Sequence, residues 1–253
     1  MSTAIIVGTG MDALAKTDKC TEVATPYGAA YLAPGTLAGK EVFFLRRHGP
    51  ALNVPPHLIN YHANFWALRE AGVTRILATA AVGSLQRNFP PGSLAVIGDF
   101  IDFTKRRVAT IFDQIGGKVV HTDFSVPYCP EISSAFESAA SELGIGLARR
   151  VVYVCVDGPR YETPTEVRMF AQWGGDVVGM TGVPEVTLAR EMGMCYGALA
   201  ILANYASGIL DEPLSHEEVV ACVTACGPQV CDILERAVSI LPDRRACCAP
   251  PVR

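Results

Sequence analysis

Five short stretches of this chain place anion-handling, aromatic or amide side chains at the ends of apolar runs, and a histidine opens the last helix. The first is Gly8-Thr9-Gly10, where glycines let backbone amides approach an anion and the threonine hydroxyl adds a donor. An ordinary tight turn uses the same residues, and Ala13 replaces the third glycine of a dinucleotide fingerprint. The second, Arg47-His48, offers a guanidinium fork and an imidazole donor suited to phosphate, although a solvated surface pair has the same composition. The third, 157–163, sets Tyr161 beside Glu162: a ring to stack on a base and a carboxylate to accept from its edge, or a half-buried tyrosine in a turn. The fourth, 179–185, leads into a helix whose N-terminus suits an anion, with Thr181 in support or as a plain cap. Asn204 closes an apolar run, where an unpaired amide is costly, so it needs partners, ligand or turn. His216 opens the last helix beside Glu217 and Glu218, by default as a solvated residue.

The elements that position these residues follow from apolar periodicity. Strands are expected at 4–7, 41–45, 75–80, 94–97, 151–156, 177–179 and 195–204. Helices are expected at 57–71, 131–143, 165–173, 184–192 and 215–241, the last with Ser215 as N-cap and Glu218 completing a capping box. Strands alternating with helices predict an α/β fold: one domain over 1–253, a mixed twisted β-sheet flanked by helices, and a loose tail at 243–253. In such sheets ligands bind where strands end. Thr9, Arg47, His48, Gly83, Ser84, Tyr161, Glu162, Thr181 and Asn204 all fall at those points.

Bulk properties narrow the classes. The 253 residues are 50% hydrophobic and 18% charged, with a formal net charge of −4. That suits a large buried core and gives no basic stripe for nucleic acid. No apolar run reaches the ~20 residues of a membrane helix, and the first residues lack a signal peptide's basic and apolar regions, so a cytoplasmic location is expected. The nine cysteines show no zinc spacing. They read as small buried hydrophobes plus a tail pair, Cys247-Cys248. No metal and no organic cofactor is expected.

Taken together, the motifs resemble the trimeric purine nucleoside and methylthioadenosine phosphorylases. The likeness runs from Ile5 to about Leu241 and is carried by Gly8-Thr9-Gly10, Arg47-His48-Gly49, Asn60-Tyr61-His62-Ala63-Asn64, Gly83-Ser84-Leu85, Gly158-Pro159-Arg160-Tyr161, and Gly179-Met180-Thr181 through Pro184-Glu185. The resemblance implies a nucleoside phosphorylase fold assembled as a homotrimer or a dimer of trimers. It implies a nucleoside and inorganic phosphate as small-molecule partners, with phosphate as co-substrate. Carried over residue by residue, Thr9, Arg47, His48, Thr181 and the amide of Ala81 match phosphate-binding positions. Met180 matches a residue against the ribose, Tyr161 the aromatic on the purine, and His121 a residue that reaches into the neighbouring subunit's pocket. One departure is Ala80, where the methylthioadenosine enzymes carry a phosphate-binding threonine.

Three positions bear on the nucleoside. A 6-oxopurine presents an N1–H donor and an O6 acceptor, so a facing carboxylate favours it. Glu162 follows the aromatic as in the 6-oxopurine enzymes. Asn204 matches their asparagine at N7 and O6, and Ala206 removes the second residue of the adenine-reading pair. A mismatched buried polar pair costs discrimination of about 10⁴. His216 matches the histidine that bonds a 5′-hydroxyl, whereas a slip in the shorter loop at 207–214 brings Val219, Val220 or Cys222 there and favours a 5′-methylthio substrate. Methylthioinosine and methylthioadenosine therefore stand as alternatives to inosine and guanosine.

The expected reaction is phosphate-dependent cleavage of the N-glycosidic bond, giving free base and ribose 1-phosphate. Asn204, Glu162 and His48 are its expected catalytic residues. A hydrolase would need a carboxylate to activate water in place of the Arg/His/Thr anion site. A purine-sensing module, the non-enzyme alternative, would keep a base pocket without Thr9, Arg47 and His48 together.

Overall fold

The computed structural model describes residues 2–8, 20–112, 119–243 and 247. Among them nine strands form one mixed sheet. They are β1 (Ser2–Val7), β2 (Thr21–Thr25), β3 (Gly28–Leu37), β4 (Lys40–Arg46), β5 (Val73–Ser84), β6 (Leu94–Asp102), β7 (Leu147–Cys155), β8 (Val177–Gly179) and β9 (Cys195–Tyr205). Five helices accompany them: α1 (Tyr61–Glu70), α2 (Pro130–Glu142), α3 (Pro164–Gln172), α4 (Gly182–Glu191) and α5 (His216–Ile240).

The sheet order is β2-β3-β4-β1-β5-β8-β7-β6-β9, and β9 also pairs with β5. Strands β5, β8, β7, β6 and β9 thus close on themselves as a barrel, which removes exposed edges on that side. β1 lies parallel to β4 and β5, and β5 parallel to β9, so these four strands end on the same side of the sheet.

Alternation along the central strands divides the core in two. Ala4, Ile6, Ile76 and Ala78 pack with apolar residues of α1 and α4, while Ile5, Val7 and Leu77 pack with those of α2 and α5. A smaller cluster, with Val154, Val178 and Leu85, is covered by Val167 and Phe170 of α3.

The expected strands and helices all form, with ends shifted by a few residues. α1 starts at Tyr61 rather than 57 because Asn60 caps it, its side-chain oxygen accepting from the Ala63 amide at 3.1 Å. A separate 3₁₀ turn covers Pro56–Leu58. At α5, Ser215 accepts from the Glu218 amide, but its hydroxyl donates to the carboxylate of Glu217, so the second half of the expected box is not made by Glu218. The complete capping box instead opens α3, between Thr163 and Glu166. β2 and β3 were not expected. β2 has no buried residue, and β3 contains Pro34 and Gly35, which read as breaks. Pro34 is tolerated because β3 pairs with β2 only through Gly28–Leu32, so beyond that point it has β4 alone as a neighbour.

Candidate active site

One cavity of about 380 Å³ lies where β1, β4, β5, β8 and β9 end. Arg47, His48, Ala81 and Thr181 line it together with Tyr161, Glu162, Met180, Asn204 and His216. Residues from Gly8 to Val219 are thereby brought to one pocket, and nine of the eleven expected site residues lie in it. Of the other two, Thr9 lies outside the described residues, next to Gly8, which does line the cavity. His121 is exposed and does not line the cavity.

The anion side begins with Arg47, which follows β4. Its Nε and Nη2 donate to the two carboxylate oxygens of Glu185, each at 2.7 Å, and Nη1 donates to the Thr79 carbonyl at 2.7 Å. The fork expected to face an anion therefore faces Glu185. A guanidinium carries five N–H donors, so one remains on each Nη. Burial opposes the charge on Arg47, but the adjacent Glu185 carboxylate and its hydrogen bonds outweigh it, and the guanidinium's pKa is raised. Gly8 must lack a side chain here, since a Cβ would sit 2.8 Å from Arg47 Nη1.

His48 is oriented from behind. Its Nδ1 lies 2.8 Å from the Val54 carbonyl, which can only accept, so Nδ1 carries a hydrogen. The other ring nitrogen then accepts when the ring is neutral and donates only when it is cationic. Thr181 is 9% exposed and makes no side-chain cap bond. The amides of Thr181 and Gly182, expected to face an anion, donate instead to the hydroxyl of Tyr153, at 3.1 and 3.2 Å. These two amides are thus satisfied internally, which leaves the Thr181 side chain for a ligand. Ala80 is buried in the core, whereas Ala81, Val82 and Gly83 line the cavity.

The opposite side is suited to a flat heterocycle. Tyr161 is half-buried and Glu162 is 7% exposed. Burial raises the pKa of Glu162, and burial and then the charge of Glu162 raise that of Tyr161. Asn204 at the end of β9 donates from Nδ2 to the Tyr205 carbonyl at 2.7 Å, which fixes the amide's orientation and leaves a second N–H on Nδ2. Met180 lies across Gly158: a Cβ there would collide with Met180 Sδ, and Gly158 also holds a φ of +68°. At the far end, His216 and Val219, one turn apart on α5, line the cavity together.

The family model described as phosphorylase superfamily matches residues 2–239. The chain belongs to the phosphorylase superfamily. It is 50% identical to a probable 6-oxopurine nucleoside phosphorylase of Moorella thermoacetica, over 89% of this chain and 86% of that one. It is 45% identical to a probable S-methyl-5′-thioinosine phosphorylase of Methanopyrus kandleri, over 89% and 87%. Among solved structures, the methylthioadenosine phosphorylase of Schistosoma mansoni in complex with adenine superposes with a TM-score of 0.89 at 31% identity, covering 95% of this chain and 91% of that one.

Three phosphorylase residues at the site escaped the sequence reading. Glu185 holds Arg47 and accepts from the Tyr196 hydroxyl at 2.7 Å. Tyr153 caps α4 through its hydroxyl. Arg107 donates to the carbonyls of Val156, Asp157, Met180 and Val183, tying the segment after β7 to the start of α4. The signal for Glu185 was present: it is an acidic residue in the otherwise apolar start of a helix. Arg107 and Tyr153 act only through tertiary contacts that no spacing reveals.

Proposed function

We propose that this phosphorylase cleaves the N-glycosidic bond of 6-oxopurine nucleosides, inosine or guanosine, with phosphate, releasing the base and ribose 1-phosphate. The observation that carries the reading is the single cavity with Arg47 and His48 on one side and Tyr161, Glu162 and Asn204 on the other. Phosphate takes the remaining Arg47 N–H groups, the Thr181 hydroxyl, the Ala81 amide, Thr9 and His48. Because Glu185 neutralises Arg47, His48 is decisive: cationic, it donates to a phosphate oxygen; neutral, it accepts from a phosphate hydroxyl. Tyr161 packs on the purine and Met180 lies against the ribose.

The C1′–N9 bond breaks as the electron pair leaves with the base and positive charge grows on the sugar. Asn204 donates to N7, where negative charge builds, and so stabilises the transition state more than the bound nucleoside. Ionised Glu162 accepts from N1–H, which an adenine ring lacks. The held phosphate then adds to C1′, positioning supplying much of the rate. The oligomer proposed is a trimer or a dimer of trimers, with His121 completing a neighbouring subunit's pocket. The proposed location is the cytoplasm, and among the described residues no helix is long and apolar enough to cross a membrane.

A second reading, methylthioinosine as substrate, is favoured by one observation: Val219 lines the 5′ end beside His216. A substrate panel of inosine, guanosine, adenosine, methylthioadenosine and methylthioinosine with phosphate tests both. The proposal expects inosine and guanosine to lead. A clear lead for either adenine nucleoside overturns the role of Glu162, and one for methylthioinosine overturns that of His216.

A further inference from the structure

Away from this pocket, three sulfurs distant in sequence converge. Cys129 immediately precedes α2, Cys195 opens β9, and Cys247 lies beyond α5. Cys247 Sγ is 3.1 Å from Cys129 Sγ and 3.5 Å from Cys195 Sγ, and all three lie within 4.8 Å of one another. Cys129 and Cys195 are buried and Cys247 is half-buried.

The donor set is purely soft. Sulfurs bound tetrahedrally to one zinc ion at ~2.3 Å stand about 3.8 Å apart. Two of the observed separations, 3.1 and 3.5 Å, fall a little short of that value, and the third is no more than 4.8 Å. We propose that Cys129, Cys195 and Cys247 form a binding site for one thiophilic closed-shell cation, with zinc as the reference ion, that fastens the C-terminal segment to the body of the enzyme. Three thiolates leave the fourth tetrahedral position to water.

The surroundings suit the charge this requires. Ligand cysteines bind as thiolates, so binding releases their protons. Three thiolates around a dication leave one net negative charge. Cys129 is the N-cap of α2, at the end of a helix that favours negative charge. Arg75 is paired with Cys195 in the β5–β9 register and is 4% exposed. Its Nη2 lies 3.5 Å from Glu131, two residues past Cys129, and its Nη1 reaches the Pro242 carbonyl, just before the segment that carries Cys247. A buried guanidinium thus stands between the three strands of chain that supply the sulfurs. No cysteine motif announces the site, because each ligand comes from a different element.

The site is remote from catalysis. Cys195 and Asn204 stand at opposite ends of β9, separated by about 30 Å at ~3.3 Å per residue. Metal binding is therefore expected to affect stability and leave turnover unchanged.

The test uses the full chain, reduced, stripped by a chelator and titrated with Co²⁺ and then Zn²⁺. The proposal expects one Co²⁺ per chain with intense near-ultraviolet sulfur-to-cobalt charge transfer, displaced by zinc. Zinc should raise the Tm of the parent chain but not of Cys247→Ser, and inosine phosphorolysis should be the same in both. Cys247 is half-buried, so this variant folds even where Cys195→Ser does not. Absence of the charge-transfer band overturns the proposal, as does an undiminished band in Cys247→Ser, which would place the metal on other cysteines. A disulfide among these three that persists under reductant and excludes Co²⁺ also overturns it.

Discussion

Arg47 and Glu185 meet through two parallel N–H···O bonds of 2.7 Å, with each side chain 1% exposed. The pair joins the end of β4 to the start of α4 across the floor of the anion side. It leaves the arginine charged, oriented and only partly available to a ligand. Removing one partner of a buried pair strands the other charge, at a cost of about 3–5 kcal/mol. Glu185→Gln is therefore expected to lower stability by that amount in denaturant unfolding and to raise KM for phosphate more than KM for inosine. An unchanged phosphate KM would separate Glu185 from the anion site.

Glu162 carries a pH signature. Burial raises its pKa above the ordinary carboxylate range, so the ionised form that accepts from N1–H is lost at a higher pH than for an exposed glutamate. The acid limb of kcat/KM for inosine should accordingly lie above that range and vanish in Glu162→Ala, along with the preference for 6-oxopurines. A group with a raised folded pKa contributes stability below its unfolded pKa and loses it as pH rises through the folded one. Glu162→Gln should therefore raise Tm at neutral pH and not in acid. An equal shift at both would refute the burial argument.

In the proposed role, Asn204→Ala removes a donor to charge that develops only as the bond breaks. By comparison with other donors of that kind, kcat for inosine should fall by about 10²–10³ with little change in KM. A change confined to KM would reduce Asn204 to a binding residue.

The 5′ end separates the two substrate readings. His216→Ala is expected to lower kcat/KM for inosine while sparing methylthioinosine, and Val219→Asn the reverse. If both variants act equally on both substrates, neither residue reads the 5′ group.

Much of this was legible in the sequence, for physical reasons. Continuous apolar runs at 4–7 and 195–203 mark strands because their side chains enter two separate cores, one on each face. The polar residues that end such runs reach the pocket because neighbouring parallel strands end together. Asn204 and Glu162 were visible as polar groups in costly places. What escaped depends on tertiary contact. β2 has no buried face to leave a pattern, and Pro34 hides β3 until its missing neighbour is known. The amides of Thr181 and Gly182 looked available to an anion until Tyr153, from β7, was found to occupy them. Likewise the Arg47 fork read as an anion clamp because Glu185, 138 residues away, gives no local sign of pairing with it.

Phosphate is the proposed nucleophile, at a site built from both halves of the chain. Release of hypoxanthine from inosine, followed with and without added phosphate after exhaustive dialysis, tests it most directly. Release that requires phosphate, with ribose 1-phosphate formed in equal amount to the base, is the predicted result. Release at the same rate without phosphate, with free ribose as product, would contradict it.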